Sequence, residues 1–132
     1  RSLTPIAELM RRDDKLPLLN LPASLRDAVS VMGSTPGRPG CALIVDDQNH
    51  LLGLFTDGDL RRLVAEESAG LDQNIEEIMT RNPLHLNPDD RALDAEAVLS
   101  LKSIDQAPVL DRTNKLVGLI DIQDLARTRD AT

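Results

Sequence analysis

Aromatic side chains are almost missing: Phe55 is the only one in 132 residues, with no Trp and no Tyr. Platforms that stack the bases of single-stranded nucleic acid need several aromatics, so that function is excluded. Cysteine is equally scarce. Cys41 stands alone, so no disulfide can form within the chain, and this usage fits a reducing cytoplasm. Basic residues are outnumbered, with 15 Lys and Arg against 22 Asp and Glu and a formal net charge of −7. A protein that tracks a phosphate backbone is normally basic, which disfavours general nucleic-acid binding. A small anionic ligand needs only local positive potential and stays open. No apolar run approaches the roughly 18 residues of a membrane-spanning helix, and no low-complexity tract points to disorder. The first residues, RSLTPIAELM, carry neither a signal peptide nor an initiator Met, and read as cut from a longer chain.

What is present is an ordinary apolar fraction, 41%, enough for a real core, and an internal repeat. IAELMRRD (6–13) resembles IEEIMTRN (75–82), LPLLNLP (16–22) resembles NPLHLNP (82–88), and LRDAVSVM (25–32) resembles ALDAEAVL (92–99). ALIVDDQNHLLGLFTDGDLRR (42–62) resembles APVLDRTNKLVGLIDIQDLAR (107–127) in the same order. Each repeat predicts a short leading helix, the first capped by Thr4 ahead of Pro5. A short strand follows near Leu18–Leu21 or Leu84–Leu86, then an amphipathic helix near Ser24–Met32 or Asp89–Leu101. A hairpin around DDQNH or DRTNK comes next, and a closing helix begins near Asp57 or Ile122. The fold class is α/β: two β-α-β-β-α repeats, 1–67 and 75–132, joined by a linker at 68–74 and packed sheet to sheet about a pseudo-two-fold axis. Ligands prefer the cleft that such a pair creates. Met10 and Met79 occupy matching positions and are expected in the core. The segment STPGRPG (34–40) reads as a plain flexible loop.

The stretch TDGD (56–59) has a structural reading of its own. Thr56-x-x-Asp59 has the shape of a capping box, and Asp59 in a first turn suits the helix dipole. The second repeat reads Asp121-Ile-Gln-Asp124, and Asp caps as well as Thr. Elsewhere the sequence offers little chemistry. His50 and His85 share no metal-ligand spacing with Cys41 or a carboxylate pair, and no serine lies in a nucleophile elbow.

Two β-α-β-β-α repeats, each ending in Gly-h-h-x-x-x-Asp, resemble tandem cystathionine-β-synthase (CBS) domains, a Bateman module. LLGLFTDGDLRR, DKLPLL and EIMTRNP are similar to the C-terminal CBS pair of arabinose 5-phosphate isomerases, sugar-phosphate isomerases that supply the lipopolysaccharide sugar Kdo. A related TDGD signature also occurs in CBS pairs attached to sugar nucleotidyltransferases. The resemblance implies a regulatory module rather than an enzyme, since the isomerase's N-terminal catalytic domain is absent from this stretch. It implies a ligand of the AMP, ATP, CMP or nucleotide-sugar kind, with no required cofactor or metal. Thr56 would meet a phosphate, Asp59 the ribose hydroxyls, and Gly53 and Leu54 would bring strand backbone to a base. The candidate ligand-binding set is Gly53, Leu54, Thr56, Asp57, Asp59 and Arg62, with Asp124 in the second repeat. Asp121 places a carboxylate where a phosphate belongs, so the two sites are expected to be unequal. Expected partners are a second CBS pair in a homodimer, within a parent that could be a tetramer, and the isomerase domain, in the cytoplasm, with neither nucleic acid nor membrane. The alternative is a purely structural dimerisation module.

Overall fold

A computed structural model describes residues 3–130. It divides into two compact units that do not follow the repeat boundaries: Asp14–Pro83 forms one, and the residues up to Asp13 join those from Leu84 onward in the other.

In the unit 14–83, β1 (Leu18–Asn20) runs parallel to β2 (Cys41–Val45), and β2 pairs antiparallel with β3 (Leu51–Thr56). Parallel neighbours require a crossover, supplied by α1 (Leu25–Ser34). Ser24 Oγ accepts from Asp27 N–H and Asp27 accepts from Ser24 N–H, so a reciprocal cap starts this helix. All of β2 is buried, which explains the continuous apolar text CALIV. α1 turns Leu25, Ala28 and Met32 onto Ala42, Ile44 and Phe55. Helix α2 (Asp57–Ala65) follows β3 directly. The linker 68–74 is tied into this unit, because the carbonyls of Gln73 and Leu71 accept from Leu25 and Arg26 N–H at 2.8 and 2.9 Å.

The second unit repeats the plan with α3 (Ala92–Leu101), a hairpin of β4 (Gln106–Leu110) and β5 (Leu116–Asp121), and α4 (Ile122–Asp130). Its core gathers Ile6, Leu86, Ala95, Leu99, Val109 and Ile120. The strand expected at Leu84–Leu86 shrinks to a single parallel bridge between Leu86 and Val109. The cause is Pro108. Its counterpart Leu43 donates its N–H to Pro17 O at 2.8 Å, and proline has none to donate.

The leading helices are also shorter than expected, each a single 3₁₀ turn, Ile6–Glu8 and Ile75–Glu77. Thr4 does not cap the first. Pro5 holds the N-cap position without a side-chain bond, and Ile6 and Ala7 donate to Asp90 O and Pro88 O. The chain beyond each turn is extended and edges a hairpin: Arg11 pairs with Leu119, and Thr80 with Leu54. Each hairpin therefore carries the leading segment of the other repeat, which is why packing and repeat boundaries disagree. Met79 and Met10, at matching positions, lie over Gly53 and Gly118, where an added Cβ would collide with the methionine sulfur.

Both hairpins turn through an Asn in the left-handed region, Asn49 (φ 67°) and Asn114 (φ 65°), a conformation that Asn tolerates better than most residues. STPGRPG differs from its expectation as a plain flexible loop. Thr35 Oγ donates to Val31 O at 2.7 Å, Pro39 is fully buried, and Gly40 O accepts from Asp57 N–H at 2.9 Å. The loop is pinned at both ends, and Ser34 and 36–38 stand exposed.

Candidate ligand site at the start of α2

Thr56 sits where β3 passes into α2, with extended backbone (φ −113°, ψ 164°) that turns its side chain back over the first helical turn. Thr56 Oγ accepts from Asp59 N–H at 3.1 Å, and Asp59 Oδ2 accepts from Thr56 N–H at 2.9 Å. Asp59 Oδ1 receives Arg62 Nη1 at 3.1 Å. The capping box read from the sequence is therefore present. It does not exhaust the atoms involved. A hydroxyl that accepts one bond still has a proton to donate, and a carboxylate has about four lone-pair positions, of which two are used here. Asp59 is only 17% exposed, so its orientation is held, whereas Arg62 is 62% exposed and screened by water. Gly58 is not required by the fold: an added Cβ would meet Thr56 Oγ at 3.6 Å, an ordinary contact. The same Cβ would come within 4.0 Å of Arg61 Nη2.

The other members of the expected set are placed differently. Gly53 has Met79 on its side-chain face, so its missing side chain serves internal packing. Leu54 donates its N–H to Thr80 O at 2.9 Å and accepts from Thr80 N–H at 2.8 Å. Its backbone donor is therefore spent on the sheet edge. Asp57 lines a separate open cleft of about 440 Å³ together with Val29, Met32, Leu60 and Arg38; neither Thr56 nor Asp59 borders this cleft. The structure thus groups Thr56, Asp59 and Arg62, and sets Asp57 apart from them.

At the matching place in the second unit, Asp121 caps α4 by accepting from Gln123 N–H at 2.9 Å. Asp124, the second repeat's member of the expected set, is paired with an arginine: Arg11 Nε donates to Asp124 Oδ2 at 3.0 Å and Arg11 Nη2 reaches Oδ1 at 3.5 Å. The same Nη2 lies 3.7 Å from Asp121 Oδ2. All three side chains are at most 19% exposed. Sequence reasoning passed over Arg11. The signal was in the repeat, where IAELMRRD sets Arg11 against Thr80 of IEEIMTRN, just as Asp121 stands against Thr56. Among the described residues no group of three or more His, Cys, Asp and Glu side chains is placed to hold a metal ion, and no helix is long and apolar enough to cross a membrane.

The description of the CBS domain matches residues 6–66 and again 75–130, following the sequence repeat. The chain belongs to the CBS domain family. The pair is 40% identical over 124 residues to arabinose 5-phosphate isomerase GutQ of Escherichia coli K12, covering 94% of this chain and 38% of that protein. It is 32% identical over the same length to arabinose 5-phosphate isomerase KpsF of Escherichia coli. The chain thus spans well under half the length of these curated relatives. Among solved structures, CBSX2 in complex with AMP superposes with a TM-score of 0.82 at 22% identity, each chain 96% covered. The CBS pair of protein MJ0100, in complex with 5′-methylthioadenosine and S-adenosyl-L-methionine, gives 0.82 at 23% identity, each chain 98% covered. At such identities these CBS pairs share the fold.

Proposed function

We propose that this CBS pair is the regulatory module of a sugar-phosphate isomerase of the arabinose 5-phosphate type, and that it binds a phosphorylated nucleoside or nucleotide sugar at Thr56 and Asp59. The observation that carries this reading is the pair itself: a half-buried hydroxyl with a donor to spare beside a fixed, acceptor-only carboxylate, at the start of a helix whose dipole favours an anion. The hydroxyl and helix terminus suit a phosphate, and the carboxylate suits two adjacent ribose hydroxyls. The AMP held by CBSX2 supports the ligand class, and the isomerase relatives support the parent over a nucleotidyltransferase. Binding would act on the attached enzyme by favouring one arrangement of the module, a coupling typically of about 1–3 kcal/mol.

A second reading, a structural dimerisation module, is favoured by one observation. Helix α3 exposes Leu93, Val98 and Leu101, with Leu101 85% exposed, an apolar surface suited to a second copy. Calorimetry separates the two readings. AMP, ATP, CMP and CMP-sugars are titrated into the chain, and at least one binds below millimolar concentration if the first is right. If none does, and sizing gives the same dimer with and without nucleotide, the structural reading stands. Thr56→Asp is the informative variant. It keeps an N-cap but sets a carboxylate against the phosphate, a repulsion between about 1 kcal/mol in water and 4 kcal/mol near a protein surface at 4 Å. Affinity should fall at least about fivefold. An unchanged affinity would refute the phosphate assignment.

A further inference from the structure

We infer that Arg11 is a resident occupant of the second unit's counterpart site, so that the chain takes one anionic ligand, at Thr56 and Asp59, and Arg11 sets that count. The inference rests on the nucleotide-binding reading of the first site.

Three matched positions carry it. Asp59 and Asp124 are the same residue in both units. Thr56 is exchanged for Asp121, and Thr80 for Arg11. Thr80 and Arg11 are placed alike, each bridging the strand that feeds the site, at Leu54 and Leu119. Thr80 is short and uncharged. Arg11 is long, and from the same place its guanidinium reaches the first turn of α4, where Nε and Nη2 meet the two oxygens of Asp124. A planar fork on a carboxylate is the strongest arrangement an arginine makes with Asp. Nη2 also approaches Asp121, so one cation serves two carboxylates. An incoming phosphate must either displace the guanidinium or sit against Asp121. Displacement strands two acidic groups that are only 10% and 19% exposed, and like charges so placed repel strongly. The exchanges are mutually compensating: Asp121 alone would leave the site with uncompensated charge, and Arg11 alone would leave an open cation ready for phosphate. Together they close it.

The test uses the chain as it stands, with AMP and CMP as probes in calorimetry. Wild type should bind one equivalent, weakened at least tenfold by Thr56→Ala. The double variant Arg11→Thr with Asp121→Thr gives the second site the residues of the first, and should bind two. Two equivalents in wild type would overturn the inference, because Arg11 would then be receiving a ligand. So would a single equivalent in a double variant whose circular dichroism is native. If neither probe binds wild type, the nucleotide reading of the first site is what fails. A thermal double-mutant cycle then decides the closure without any ligand. Arg11→Met and Asp124→Asn should each lower Tm by about 5 °C, and together by clearly less than the sum. Strict additivity would show that Arg11 does not hold the site.

Discussion

The two units of this CBS pair are built to one plan and diverge where a ligand would sit. Both have a leading 3₁₀ turn, a hairpin edged by the other repeat's leading segment, a methionine over a strand glycine, and a carboxylate in the first turn of the closing helix. Yet one helix start offers a neutral hydroxyl, and the other holds an arginine between two aspartates. The shared features are those the fold needs; of the divergent ones, Thr and Asp cap equally well, and Asp121 is accompanied by Arg11. The cap therefore identifies the element, and only the groups left over after capping identify a site.

The shared part can be stressed first. Gly53 and Gly118 hold the same place, but their nearest neighbours differ. The three atoms nearest a Cβ at Gly53 all belong to Met79, with Cγ at 2.8 Å, whereas those nearest one at Gly118 include Met10 Cγ at 2.6 Å and the Arg11 carbonyl oxygen at 3.0 Å. A methionine side chain can give way; a backbone oxygen paired into the sheet edge cannot do so cheaply. Gly118→Ala is expected to cost about 2–3 kcal/mol and Gly53→Ala about 1–2 kcal/mol in urea denaturation, within the range for overpacked cores. Equal costs would mean that the edge strands at Arg11 and Thr80 yield alike, and would erase this difference between the units.

Much of this was legible in the sequence. The repeat fixed the element order, the amphipathic pattern placed the start of α1 and the capping box that of α2, each to within a residue. Leading helices of a single turn were not legible, because their first N–H groups are satisfied far away in sequence, those of Ile6 and Ala7 by Asp90 and Pro88 and that of Ile75 by Ala23. Pro108 was visible, but its effect depends on knowing that Leu43 donates to Pro17. Arg11 was hidden for the same reason. It lies 113 positions from Asp124, and nothing local reveals that a repeat's leading segment edges the other repeat's hairpin. Thr56, Asp59 and Arg62 could be grouped from the sequence because they are neighbours at one helix start, and the leading segment that completes the second unit's charge cluster could not because it is distant in sequence.

A smaller effect concerns the crossover helices. α1 begins with the reciprocal Ser24–Asp27 cap, whereas α3 begins at Arg91, whose side chain makes no capping bond. The residue three positions on, Asp94, already stands where Asp27 stands in α1. Arg91 is exposed, so Arg91→Ser should complete the missing box and stabilise the second unit by about 1 kcal/mol. Thermal melts check this. No gain would show that the Pro5 and Arg91 bridge holds the helix start in a geometry that a serine cannot use.

The smallest expected effect lies in the hairpin turns, and it too distinguishes the units. Asp46 Oδ1 accepts from Gln48 and His50 N–H, and Asp111 Oδ1 accepts from Thr113 N–H, Lys115 N–H and the Thr113 hydroxyl. Both carboxyls are held below their ordinary 3.8, Asp46 chiefly by the His50 backbone N–H and Asp111 chiefly by the Thr113 hydroxyl. A carboxyl lowered in the folded state favours folding when ionised. Its contribution is therefore complete above pH 3.8 and is lost as the pH falls through the lowered value. Thr113→Val removes the leading cause in the second unit and should move Asp111 back toward 3.8 in a carboxyl NMR titration, with a shallower loss of stability in acid. His50→Gln cannot do the same for Asp46, because the bond that matters there comes from the backbone. Equal shifts in the two variants would show that the His50 ring, 3.2 Å from Asp46 Oδ2, outweighs the backbone bond, and that the two turns hold their carboxylates by the same means.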